Sequence, residues 1–168
     1  MRVLIKDYDN IPGIAKGRYL DNSSSIDDKA NLPLGWSTDL DLNVNTIKTF
    51  TGKIEPLELK PGDKIYRVSH SNGGSGAYWT RTKPRGLEDV IGGTAVRPEW
   101  NNFEYLYEYT VPDGVTIKTW KGSAARQMVS EISSNYHLPG GDEQLFISFI
   151  KNQDVTFIDR VIKIKAEW

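Results

Sequence analysis

Cysteine is absent from the chain, and histidine occurs only at His70 and His137. The first absence excludes disulfides, thiolate catalysis and zinc sites with sulfur ligands, and two histidines are too few for most imidazole-built clusters, so no metal site is expected. An excess of either charge is also missing: 21 Lys and Arg face 22 Asp and Glu, a formal net charge of -1. Near neutrality speaks against wrapping of duplex nucleic acid or adhesion to an anionic membrane. No run approaches 18 apolar residues, and the opening MRVLIKDYDN puts Arg2, Lys6, Asp7 and Asp9 where a secretory signal needs its apolar stretch. As an isolated domain the chain is expected to be soluble, with no nucleic-acid partner, no membrane partner and no export signal of its own.

What is present fits one globular domain: 168 residues, 38% hydrophobic and 11% aromatic. Composition shifts once, near LELKPGD (57–63). Residues 1–56 read as an N-terminal lead-in or small subdomain. Residues 7–35 are rich in Asp, Asn, Ser, Gly and Pro, and SSSIDDKAN supports a short helix at best. From Lys64 onward, runs rich in Val, Ile, Tyr, Phe, Trp and Thr alternate with Gly, Pro and Asn clusters, the pattern of a mostly antiparallel sheet. The expected strands are 64–70, 77–82, 104–111, 115–120, 145–150 and one in the C-terminal DVTFIDRVIKIKAEW. In EYLYEYTV, alternation puts Tyr105, Tyr107 and Tyr109 on one face. SAARQMVSEISSN (123–135) spaces Ala124, Met128, Val129 and Ile132 at helical intervals and predicts one helix with Ser123 as its N-cap. The fold class is α+β.

Three segments have the residue types for chemistry. In KPGDKIYRVSHSNGGSGAYWT (60–80), a strand bearing Arg67 runs into a loop with Gly73, Gly74 and Gly76, and a second strand starts at Tyr78. A guanidinium beside a glycine-rich loop can present bidentate donors and backbone N–H groups to phosphate oxygens. The plainer reading is a hairpin with a surface arginine. In NYHLPGGDEQLFISF (135–149), a Pro-Gly-Gly turn precedes Asp142, Glu143 and Gln144 at the mouth of an apolar strand. A polar side chain held there can hydrogen-bond a ligand hydroxyl, or it can simply begin the strand. Most of the aromatics, including Trp79, Trp100, Trp120, Tyr105, Tyr107 and Tyr109, read as core, with Tyr78 and Trp79 beside the glycine loop as the best candidates to stack on a ligand ring. His70 and His137 lack a supporting carboxylate spacing and read as structural or surface residues.

In order, the segments LKPGDKIYRV, GSGAYWT, YEYTVPDGVTIKTWKG, AARQ and GGDEQLF resemble the NAD-hydrolysing toxin domains of the tuberculosis necrotizing toxin family. The resemblance runs from about Leu57 to Phe149 and makes 57–168 the expected catalytic, NAD-binding domain. It implies an ADP-ribosyltransferase-like fold with few helices, NAD+ (or NADP+) as substrate, no prosthetic group, and Arg67, Tyr78 and Gln144 as catalytic residues. Gly76, Trp79 and Gln127 join Arg67 and Tyr78 as expected cofactor-binding positions. It further implies an interbacterial effector, delivered by contact-dependent inhibition into a target-cell cytoplasm and held in check by a cognate immunity protein. Gln144 stands where transferases of this fold have a glutamate, which favours water as acceptor, by hydrolysis or cyclisation. A register turning Glu143 inward would instead favour transfer to a macromolecule, because a one-residue slip exchanges the two faces.

Overall fold

The structure, a computed structural model, describes residues 8–74, 76–130, 135–148 and 160–168. Eleven short strands dominate the described residues: β1 (Ala15–Lys16), β2 (Ser24–Ile26), β3 (Phe50–Leu59), β4 (Lys64–Ser69), β5 (Tyr78–Trp79), β6 (Tyr105–Thr110), β7 (Ile117–Ala124), β8 (Gln127–Met128), β9 (Tyr136–Leu138), β10 (Glu143–Phe146) and β11 (Ile162–Lys165). Among the described residues helix is confined to short turns, including α1 (Thr38–Asp41) and α2 (Val44–Ile47), capped by Ser37 and Asn43 side chains accepting from Leu40 and Thr46 N–H. The fold is α+β with a preponderance of strand.

Three sheets assemble. The largest has the order β2-β3-β7-β10-β5, a second β11-β6-β4 and a third β1-β9-β8. All named pairings are antiparallel except β2 with β3. An isolated bridge between Tyr66 and Thr80 ties β4 to the chain just after β5, through Tyr66 N–H to Thr80 O at 2.7 Å and Thr80 N–H to Tyr66 O at 2.9 Å. Two sheets therefore meet edge to edge at β4 and β5.

Alternation along the strands explains the cores. On β6, Tyr105, Tyr107 and Tyr109 pack with Leu59, Ile65, Trp79 and Leu145, while Leu106 faces a second cluster with Val68, Val90, Ile91 and Phe103. The predicted common face of the three tyrosines is as observed, and on the opposite face Leu106 is buried while Glu104 and Thr110 are exposed. A third cluster gathers Leu42, Phe50, Ile54 and Trp120 beneath β3 and β7.

One expectation needs correction. The helix predicted over 123–135 is absent where it is described: Ser123 and Ala124 finish β7 and Gln127 and Met128 form β8, while 131–134 lie outside the described residues. Pairing decides this, since Ser123 lies opposite both Thr51 and Glu143, and Ala124 opposite Phe50. Ladder bonds and burial on both sides outweigh a modest local helix preference. β3 was not among the expected strands and crosses position 56. Before it, short helical turns alternate with β1 and β2, which pair with β9 and β3. Residues 149–150 of the predicted 145–150 strand and 154–159 of the C-terminal segment lie outside the described residues, and β11 is the strand expected in the remainder of that segment.

Candidate functional site

β4, β5, β8 and β10 converge on a cavity of about 290 Å³ lined by Arg67, Tyr78, Gln127 and Gln144 together with Thr49, Trp100 and others. A smaller pocket of about 70 Å³ shares Arg67, Tyr78 and Gln144 with it. Side chains far apart in sequence thus meet where the sheets join.

Arg67 comes from the middle of β4, opposite Tyr107 on β6. Its Nε donates to Gly73 O at 2.8 Å and its Nη1 to Tyr78 O at 3.0 Å, so the guanidinium staples the glycine loop to β5. The Tyr107 hydroxyl fixes the same loop, donating to His70 O at 2.6 Å and accepting from Gly73 N–H at 3.2 Å. No carboxylate pairs with Arg67 among the described residues. Burial lowers its pKa from the ordinary arginine value, because desolvation disfavours the charged form. A guanidinium at a cavity wall without a carboxylate partner is a ready partner for an anion.

Gly76 lines neither pocket but is packed on Arg67, because a Cβ there would overlap Cζ, Nη2 and Nε of the guanidinium. Its role is to let the backbone approach the arginine.

Gln144 sits second in β10, opposite Gly122. It is only 8% exposed. Its Nε2 donates to Thr49 O at 3.2 Å and Thr49 Oγ1 at 3.3 Å, which leaves Oε1 to accept from a ligand. Glu143 lines other pockets, not this one, and forms a two-pronged pair with Arg81: Nε to Oε1 and Nη2 to Oε2, both 2.6 Å. The hydrogen bonds from Arg81 hold its carboxyl below the usual 4.5. The register that would turn Glu143 toward Arg67 is not the one adopted.

Tyr78 lies opposite Phe146 across the β5–β10 pair, with ring centroids 5.2 Å apart and tilted by 47°. Trp79, the next residue, points the other way. It is 3% exposed, packs in the tyrosine-rich core and donates Nε1–H to Gly76 O at 2.7 Å. It lines the small pocket together with Arg67, Tyr78 and Gln144, but not the larger cavity. Gln127, expected on a helix, reaches the cavity from β8. His70 stands exposed at the cavity, and its Nδ1 accepts from Asn72 N–H at 3.2 Å. His137 lies away on β9 with Nδ1 2.9 Å from Gly17 O.

Sequence reasoning missed Thr49, Trp100 and Asn101. Thr49 precedes the unforeseen β3. Asn101 is fixed by donating Nδ2–H to Val68 O at 2.9 Å and accepting from Phe103 N–H at 2.7 Å. The available signal was a tryptophan in the polar, proline-containing run RPEWNN, outside any alternating strand pattern.

No protein-family model matches the sequence, and no curated protein matches it. Among solved structures the chain is similar to Rhs1-CT in complex with cognate immunity protein RhsI1, with 17% sequence identity and a TM-score of 0.38 over 73% of this chain and 83% of that one.

Proposed function

We propose that the chain is an NAD+ glycohydrolase toxin domain that cleaves the bond between nicotinamide and ribose and so depletes NAD+ in a target cell. The observation that carries the reading is a largely buried Arg67, with no carboxylate partner among the described residues, sharing one cavity with Tyr78, Gln127 and Gln144.

The chemistry asks little of an acid. Nicotinamide leaves as a neutral molecule: the C1′–N1 electron pair goes to its ring, and the positive charge passes to an oxocarbenium-like ribose. Water then bonds to C1′ and loses a proton to solvent, giving ADP-ribose. Positioning and electrostatics carry such a step. In this reading Arg67 holds the pyrophosphate, Tyr78 packs on the nicotinamide riboside, and Oε1 of Gln144 accepts from a ribose hydroxyl beside the developing cation. Gln127 supplies a second amide. The alternative of ADP-ribosyl transfer to a macromolecule wants a carboxylate in the same cavity, and Glu143 is engaged with Arg81 instead.

Incubation of the purified protein with NAD+, with chromatographic separation of nicotinamide, ADP-ribose and cyclic ADP-ribose, tests the reaction. Nicotinamide and linear ADP-ribose are expected in equal amounts; absence of nicotinamide release from folded protein overturns the reading. The toxin half is tested in cells: wild type should arrest growth when expressed without a neutralising partner, and Gln144→Ala should not.

A further inference from the structure

Trp100 is the one large aromatic of the cavity that the fold leaves in water. It is 55% exposed, whereas Trp79 and Trp120 are buried. It belongs to none of the three hydrophobic clusters. One face of its indole is already covered by the guanidinium of Arg97, whose Cζ lies 4.8 Å from the ring centroid, and Arg97 is itself 7% exposed. Packing a buried cation under an exposed indole holds the ring in place without using its second face.

The loop carrying it is also held. Asn101 bonds to Val68 O, the carbonyl next to Arg67 on β4. Ala95 and Phe103, on either side of the loop, adopt left-handed backbone with φ of 56° and 57°, a region that residues with a Cβ rarely enter. Strain of this kind persists where surrounding contacts over-determine the conformation, here the full burial of Phe103 and the near-full burial of Ala95. A rigid loop thus presents a flat aromatic ring to the same cavity as Arg67 and Gln144.

We propose that Trp100 is a stacking platform for the adenine base of the dinucleotide, a subsite for the purine end of the substrate. The assignment rests on the NAD+ reading, which puts the pyrophosphate at Arg67 and the nicotinamide riboside at Tyr78 and Gln144, and leaves the second base to an unfilled aromatic face. Any base has a π face, so stacking supplies affinity for the adenosine half without adding anything to the bond being broken. Trp100 is a binding residue, distinct in its kinetic signature from Gln144.

Two measurements on the full chain test this. In calorimetry, Trp100→Ala should weaken ADP-ribose binding roughly tenfold or more, leave ribose 5-phosphate binding unchanged, and be largely rescued by Trp100→Phe. In turnover, Trp100→Ala should raise KM for NAD+ with little change in kcat, and leave nicotinamide release from nicotinamide mononucleotide unaltered. Equal ADP-ribose affinity in wild type and Trp100→Ala, or an equal loss for ADP-ribose and ribose 5-phosphate, overturns the subsite. Trp100-dependent ADP-ribose binding without nicotinamide release would sink the hydrolase reading and keep the subsite. Unchanged KM in an active Trp100→Ala enzyme does the reverse, and a folded wild type that binds neither probe removes both.

Discussion

At the scale of single residues, what distinguishes Gln144 from an ordinary strand amide is that Thr49 occupies its N–H2 group and thereby fixes which atom remains to meet a ligand. Gln144→Ala should lower the rate of nicotinamide release by about 10²- to 10³-fold, the range for removing one preorganised polar group. The lost bonds to Thr49 should cost only about 1 kcal/mol of stability. A variant that keeps wild-type turnover with an unaltered melting curve would remove Gln144 from the site. Gly76→Ala makes a second test. No left-handed φ is involved there, so its effect is purely the displacement of the Arg67 side chain. The substitution should reduce kcat/KM nearly as far as Arg67→Ala, and in a double-mutant cycle it should cost almost nothing once Arg67 is already Ala. Arg67, Tyr78 and Gln144 were legible as candidates because glycine turns frame each of them in the sequence. Thr49 and Trp100 were not, since nothing local says that a threonine 95 positions away will orient the glutamine, or that one tryptophan among five will stay in water.

At the scale of elements, the strand most opaque to sequence is β3. Its FTGKIEPLEL contains Gly52 and Pro56, and its pairing with β7 shifts register between Thr51 and Glu55, so period-two alternation is broken. Pro56 is tolerated because β2 accompanies β3 only over Gly52–Ile54, leaving no strand among the described residues on that side at position 56. The helix expected after Gly122 failed for the complementary reason: a locally helical pattern was overruled by partners distant in sequence. β10 depends on the Arg81–Glu143 pair, which anchors its first residue to the segment after β5. The sign of the pH effect follows from the depressed Glu143 carboxyl. Its contribution is complete above the ordinary value of 4.5 and is lost as pH falls through the lower folded-state value. Glu143→Gln should therefore lower the melting temperature modestly at pH 7, and the difference from wild type should shrink as the pH is taken below about 4.5. The effect is small because Arg81 is partly exposed and screened, and a gap that stays constant down to pH 3 would refute it.

At the scale of the whole molecule, the cavity is a joint. Arg67 belongs to the β11-β6-β4 sheet, Tyr78 and Gln144 to the five-stranded sheet, and Gln127 to the small β1-β9-β8 sheet. A ligand that touches all four bridges three sheets, and it also supplies the negative charge that the buried Arg67 lacks. Both effects favour the folded state over the unfolded one. At 100 times its dissociation constant, ADP-ribose should stabilise the protein by about 2.7 kcal/mol. At about 2–4 °C per kcal/mol for a chain of this size, the melting temperature should rise by roughly 5–10 °C. Arg67→Met removes the charge together with the bonds to Gly73 O and Tyr78 O, so it should melt below wild type without ligand and show little further shift with it. The near-neutral surface bears on the same experiment: with a net charge of -1 there is no long-range positive field to collect anions. The ligand-induced shift in wild type should therefore fall only modestly between low and physiological salt, because the attraction is local and partly shielded from solvent ions. An equal shift in Arg67→Met, or a shift in wild type that vanishes at physiological salt, would mean that ADP-ribose is held by the outer surface and not at the meeting point of the three sheets.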